Sequence, residues 1–114
     1  MTLMENIYKS LNENALVDTA EEFSTDWCWR SKSWFAVQKN KQADFAIPAA
    51  INCLNVVKIK LALQHIRHGK LGSFVDDEIE TLRDVRDQLE AYLLKQHRIA
   101  VVTDAPELGD KETA

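Results

Sequence analysis

The sequence predicts an all-α protein of about five helices, and three observations carry that expectation. Three glycines and two prolines in 114 residues leave little material for a turn-rich β architecture. Apolar residues recur three and four apart along most of the chain, the period of helices buried on one side. Residues that cap helices stand where those periods begin. A chain of this length with 46% hydrophobic content suits one globular domain with one core.

Leu3, Ile7 and Leu11 lie four apart and predict a short first helix over 3–14. Asn12 and Asn14 in "NENALVDT" break it, and Asp18 or Thr19 caps a second helix. Glu21 and Glu22 suit the positive end of that helix, which runs from about Ala20 to Trp27. "CWRS" reads as a tight connection, and Ser31 as the N-cap of a third helix in which Trp34 and Val37 face inward. Asn40 is the expected stop, because asparagine tolerates the left-handed backbone that closes helices.

After the loop "KQADFA", Ile47 and Pro48 open a long fourth helix, proline being acceptable in a first turn. Its stripe is Ile47, Ala50, Ile51, Leu54, Val57 and Leu61, and it ends near His68. Ser73 with Asp76 resembles a capping box for a fifth helix, whose stripe runs Val75, Ile79, Leu82, Val85, Leu89 and Tyr92. The short link "GKLGS" makes these two an antiparallel hairpin over about 46–98. The segment 103–114, "TDAPELGDKETA", is acidic, has few apolar residues and is expected to be disordered.

Charge is distributed unevenly behind the formal net of −4. Residues 1–29 carry a net of −5, residues 30–70 a net of +7, and residues 71–114 a net of −6. A basic middle between acidic ends draws an anionic partner to one face. The N-terminal run "MTLMENIYKSLNEN" has no apolar core of a signal peptide, and no stretch is long and apolar enough to span a bilayer. A cytoplasmic protein is therefore expected, with Cys28 and Cys53 as reduced, buried thiols.

Within residues 20–39, the positions expected to be buried are Phe23, Trp27, Trp29, Trp34 and Val37, and the small Ser24 sits where two helices would cross. This pattern resembles the helix-turn-helix of phage-repressor-type (Cro-like) DNA-binding domains, over about Leu3 to Val57. Such motifs usually carry glycine in a left-handed turn position that Cys28 occupies here. The run "FS…W…RS.SW" is also similar to small proteobacterial proteins, a similarity that implies no activity.

The resemblance implies that the third helix is a recognition helix lying in the major groove of double-stranded DNA. Arg30, Lys32, Ser33, Phe35, Ala36 and Lys39 would face outward, with Lys41 just beyond. Arg30 and Lys32 would reach guanine edges, Ser33 a base or phosphate, and Lys39 and Lys41 phosphates. Phe35 would touch a thymine methyl, or else mark a protein-binding surface. A transcriptional regulator follows from this reading, and an adaptor that binds protein through the same helix is its alternative.

The fifth helix's stripe is longer than its partner needs, which suggests a homodimer through that helix. His65 and His68 share a helix face but lack the further ligands a metal requires. No Gly-rich phosphate loop or nucleophile motif points to an enzyme or a cofactor.

Overall fold

A computed structural model describes the backbone of residues 1–104 and the side chains of residues 1–96. Every regular element in it is helical. The first, α1 (Leu3–Glu13), buries Ile7 and Leu11 as their spacing predicts, but Met4 takes the buried place expected of Leu3, which is half-buried. Two groups cap its start. Thr2 Oγ1 accepts from the Glu5 amide at 3.2 Å, and the Asp44 carboxylate accepts from the Leu3 and Met4 amides, both at 2.9 Å. A carboxylate at this end also opposes the positive pole of the helix. The link that follows is held by Asn12, whose side-chain amide donates to the carbonyls of Val17 and Asp18 at 3.1 Å.

Thr19 caps the second helix by accepting from the Glu22 amide, and Glu22 returns a carboxylate oxygen to the Asp18 amide at 2.8 Å. The helix opens as α2 (Ala20–Glu22) and continues without a break as a π-helical segment, Phe23–Trp27. There the Cys28 amide donates five residues back, to the Phe23 carbonyl, at 3.1 Å. A turn leads to α3 (Trp34–Asn40), then a loop to α4 (Ile47–Leu71), a 3₁₀ turn (Gly72–Val75) and α5 (Asp76–Asp104).

The last two long helices form the antiparallel hairpin expected. Contacts between them pair Gln64 with Glu78 and Lys58 with Glu90, and Phe45 in the loop before α4 meets Tyr92, so the numbering runs in opposite directions. On α5 the stripe Ile79, Leu82, Val85 and Leu89 is buried, as its spacing requires. On α4 the buried set is Ala49, Ala50, Cys53, Val56, Val57, Leu61 and Gln64. Ile51, placed in the stripe by spacing, is instead 39% exposed. Small residues, Ala49, Ala50 and Cys53, line the stretch against the N-terminal helices because aromatic rings fill the space there.

Two boundaries differ from expectation. Asp76 begins α5 and pairs with His68 Nε2 at 3.0 Å, an attachment across the hairpin link. Thr103 and Asp104, assigned to a disordered tail by composition, are the last residues of α5. Residues 105–114 of that tail lie outside the described residues. No described helix is long and apolar enough to cross a membrane.

The core is continuous from α1 to the hairpin. Tyr8, Phe23 and Phe35 meet in one aromatic cluster, with ring centroids 4.8–5.7 Å apart. Trp34 stacks on Phe45, which meets Tyr92 edge-on. The Tyr92 hydroxyl donates to the Phe45 carbonyl at 2.7 Å. Its pKa is raised by burial and, secondarily, by the nearby Asp44 carboxylate.

Candidate nucleic-acid interface

The unit made of the second helix, the turn and α3 is held by one serine. Ser24 is fully buried; its hydroxyl donates to the Ala20 carbonyl at 2.9 Å and accepts from the Phe35 amide at 3.1 Å. The amides of a helix's first turn have no partners within the helix, so this contact also satisfies an otherwise orphaned donor of α3. A small residue at position 24 thus sets both the approach and the phase of α3. Ser24 sits at the crossing, where the pattern of small and apolar residues puts it.

The phase is not the one the spacing suggests. The structure starts α3 at Trp34 after Ser33, three residues beyond the expected cap Ser31, whose carbonyl instead accepts from the Trp34 amide. Trp34 and Phe35 both turn inward. Val37, expected to be buried, is 44% exposed.

Phe35, expected on the outer face, is 5% exposed between Tyr8 and Phe23, so it is core and touches neither a thymine methyl nor a partner. The reason is physical. An aromatic pocket lined by Tyr8 offers a larger buried area to Phe35 than the shallow site available to Val37.

The turn also differs. Cys28 has a right-handed backbone (φ −106°), and the left-handed position falls on Trp29, at φ 57°. The Arg30 amide reaches back to the Ser24 carbonyl at 2.8 Å and closes the turn. Trp29 is 56% exposed, whereas the sequence pattern assigns it to the core. The extra residue in the π-helical segment shifts the register by one, which moves the turn's strained position from 28 to 29. Cys28 is fully buried, and the neighbouring Cys53 thiol together with burial pushes its thiol pKa far up.

Arg30, Lys32, Ser33, Ala36, Lys39 and Lys41 are all exposed. Among the described residues none of the four bases takes part in an ion pair. The fold therefore keeps these six around one short helix and its preceding turn, and removes Phe35 from the set. A neighbouring base that the local pattern misses is Lys60, on α4. Its ammonium lies 4.9 Å over the Trp27 ring, a cation–π contact that only the folded chain brings together. No cluster of three or more metal-ligating side chains occurs among the described residues.

Comparison with known families matches residues 4–103 to one described as "Family of unknown function (DUF6626)". The chain belongs to that family. The match runs from α1 into the last turn of α5, so the serine-locked unit and the hairpin both fall within the matched residues. No curated protein and no solved structure matches the chain.

Proposed function

We propose that this member of the DUF6626 family is a non-enzymatic protein that binds double-stranded DNA through α3 and the turn before it, and acts in transcriptional regulation. The observation that supports this reading is the cluster Arg30, Lys32, Lys39 and Lys41, exposed and free of ion pairs among the described residues. Unpaired bases need lose no protein partner when they meet phosphate. Lys39 and Lys41 at the end of α3 suit phosphates, while Arg30, Lys32 and Ser33 at its start suit base edges.

Four phosphate contacts give a salt slope near −3.6, so affinity for random duplex DNA should fall roughly 100-fold between about 50 and 200 mM salt. Fluorescence anisotropy at the two concentrations tests this. Lys39→Gln and Lys41→Gln should each lower the slope by about one. Absence of binding at low salt refutes the reading.

A homodimer through α5 belongs to the same proposal, and it has to use the outer side of that helix. The inner stripe is already buried against α4, while Leu94 is exposed. Leu94→Glu should then dissociate the dimer in light scattering; a monomeric parent chain refutes this part.

A further inference from the structure

Among the described residues, the longest run of exposed apolar side chains lies on α4, opposite its buried stripe, with Leu63 at the edge of a groove that Leu16, Glu78 and Leu82 also line. Ile59, Leu63 and Ile66 follow i, i+4, i+7 spacing and are 58%, 51% and 66% exposed. Asn52, seven residues before Ile59 on the same face, donates its side-chain amide to the Cys28 carbonyl at 3.1 Å. That bond places the Trp29 turn at the head of the stripe, so an exposed indole begins what Ile66 ends. From residue 52 to residue 66 the face is about 21 Å long, at 1.5 Å per residue.

The charges that α4 itself contributes are one-signed, and the single carboxylate in the groove beside Lys60, Leu63 and Arg67 is Glu78 of α5, which accepts from Gln64 at 2.9 Å. Across 25 residues α4 carries Lys58, Lys60, Arg67 and Lys70 and neither Asp nor Glu. Lys58 is engaged by Glu90 on the hairpin side. Lys60, Arg67 and Lys70 border the stripe, and none of them is in an ion pair among the described residues.

We infer that this face of α4 is a docking site for an amphipathic helix of another protein, with apolar residues along its centre and acidic residues on its flanks. The other occupants fit less well. A second copy packed symmetrically through α4 would set Lys60 and Arg67 against like charges. A second copy presenting the outer side of α5 over the described residues would bring Glu80, Asp84 and Asp87 and, as its one large exposed apolar side chain there, Leu94. A lipid surface calls for a broad apolar face, whereas this stripe is one side chain wide and bounded by Asn55 and Arg67. A helix laid along the face matches its length, its spacing and its sign. Trp29 then supplies the large aromatic anchor that such interfaces favour.

The test uses the full chain and a fluorescein-labelled acidic peptide of about five helical turns, with leucines at i, i+4, i+7 and i+11 and glutamates on either side. The expected result is saturable one-to-one binding that a scrambled peptide of equal composition does not show. Ile59→Ser with Ile66→Ser, both exposed and tolerable to the fold, should weaken it at least tenfold. Arg67→Gln with Lys70→Gln should weaken it and flatten its salt dependence, while Lys39→Gln should leave it unchanged.

Equal binding of the scrambled peptide, or indifference to the Ile59 and Ile66 substitutions, overturns the inference. So does a dimer that those substitutions dissociate, which gives the face to a second copy. Binding to anionic vesicles that is lost in the same variant assigns it to a lipid surface. Tighter peptide binding by Glu107→Gln with Asp110→Gln assigns it to the chain's own acidic C-terminal segment. None of these outcomes depends on whether α3 binds DNA.

Discussion

Three side chains decide how the α3 unit is read, and each predicts a measurable change. Phe35→Ala removes a buried ring from a three-ring cluster and should cost about 3–5 kcal/mol, seen as an early urea transition. Had Phe35 been a surface contact, the loss would fall below about 0.5 kcal/mol. Ser24→Ala leaves the Phe35 amide buried and unpaired and should cost roughly 1–3 kcal/mol.

Trp29 works in the opposite direction. An L-residue in the left-handed region carries about 1–2 kcal/mol of strain, so Trp29→Gly should raise the melting temperature while it weakens capture of the acidic peptide. A rise in stability with unchanged peptide binding would leave Trp29 outside the α4 face. Cys28 and Tyr92 both titrate above their ordinary values in the folded chain. The native state therefore holds their protons more tightly, and stability present at neutral pH is lost as pH rises past about 9–10, where the unfolded groups ionise. Tyr92→Phe should flatten the upper part of that alkaline decline in a pH series of urea melts.

At the scale of elements, two glycines near the hairpin link have opposite requirements. Gly72 closes α4 at φ 60°, ψ −133°, a region that only glycine occupies without strain, so Gly72→Ala should destabilise by about 1–3 kcal/mol. Gly69 lies inside α4 with open space around it, and Gly69→Ala should stabilise by about 0.5–1 kcal/mol. Thermal melts of the two variants give the signs directly.

Element order and the hairpin were legible in the sequence because long stripes such as Ile79–Leu82–Val85–Leu89 average over many turns. The phase of α3 was not. In a seven-residue helix, a start displaced by two residues exchanges Val37 for Phe35 on the inner face. The contacts that fix that start, Ser24 and Tyr8, lie 11 and 27 positions upstream of Phe35. A local period carries no record of them. The basic residues were legible as a cluster because exposure needs no partner, and all six non-aromatic site residues are outward.

For the molecule as a whole, the two surfaces proposed to bind partners face different chemistry. Bare bases around α3 suit a polyanion, whereas the α4 face joins bases to an apolar row and suits a helix. Acidic residues concentrate on α5, where Arg86 already bridges Asp87 at 3.0 Å and Glu90 at 3.9 Å. Exposed pairs of this kind contribute at most about 1 kcal/mol, so that side serves solubility more than stability.

Two adjacent residues, Asp44 and Phe45, join the halves of the fold. The first fastens the beginning of α1 across 40 and 41 positions, and the second receives the Tyr92 hydroxyl from 47 positions downstream. Such a junction makes the loop unequal in its tolerance of added chain. Extra residues inserted after Gln42, which is exposed, would lengthen a surface connection at little cost. The same residues placed between Asp44 and Phe45 would separate the two fastenings and uncouple the N-terminal helices from the hairpin. A reporter peptide, a protease site or a second domain grafted into this protein therefore belongs on one side of that dipeptide and never within it.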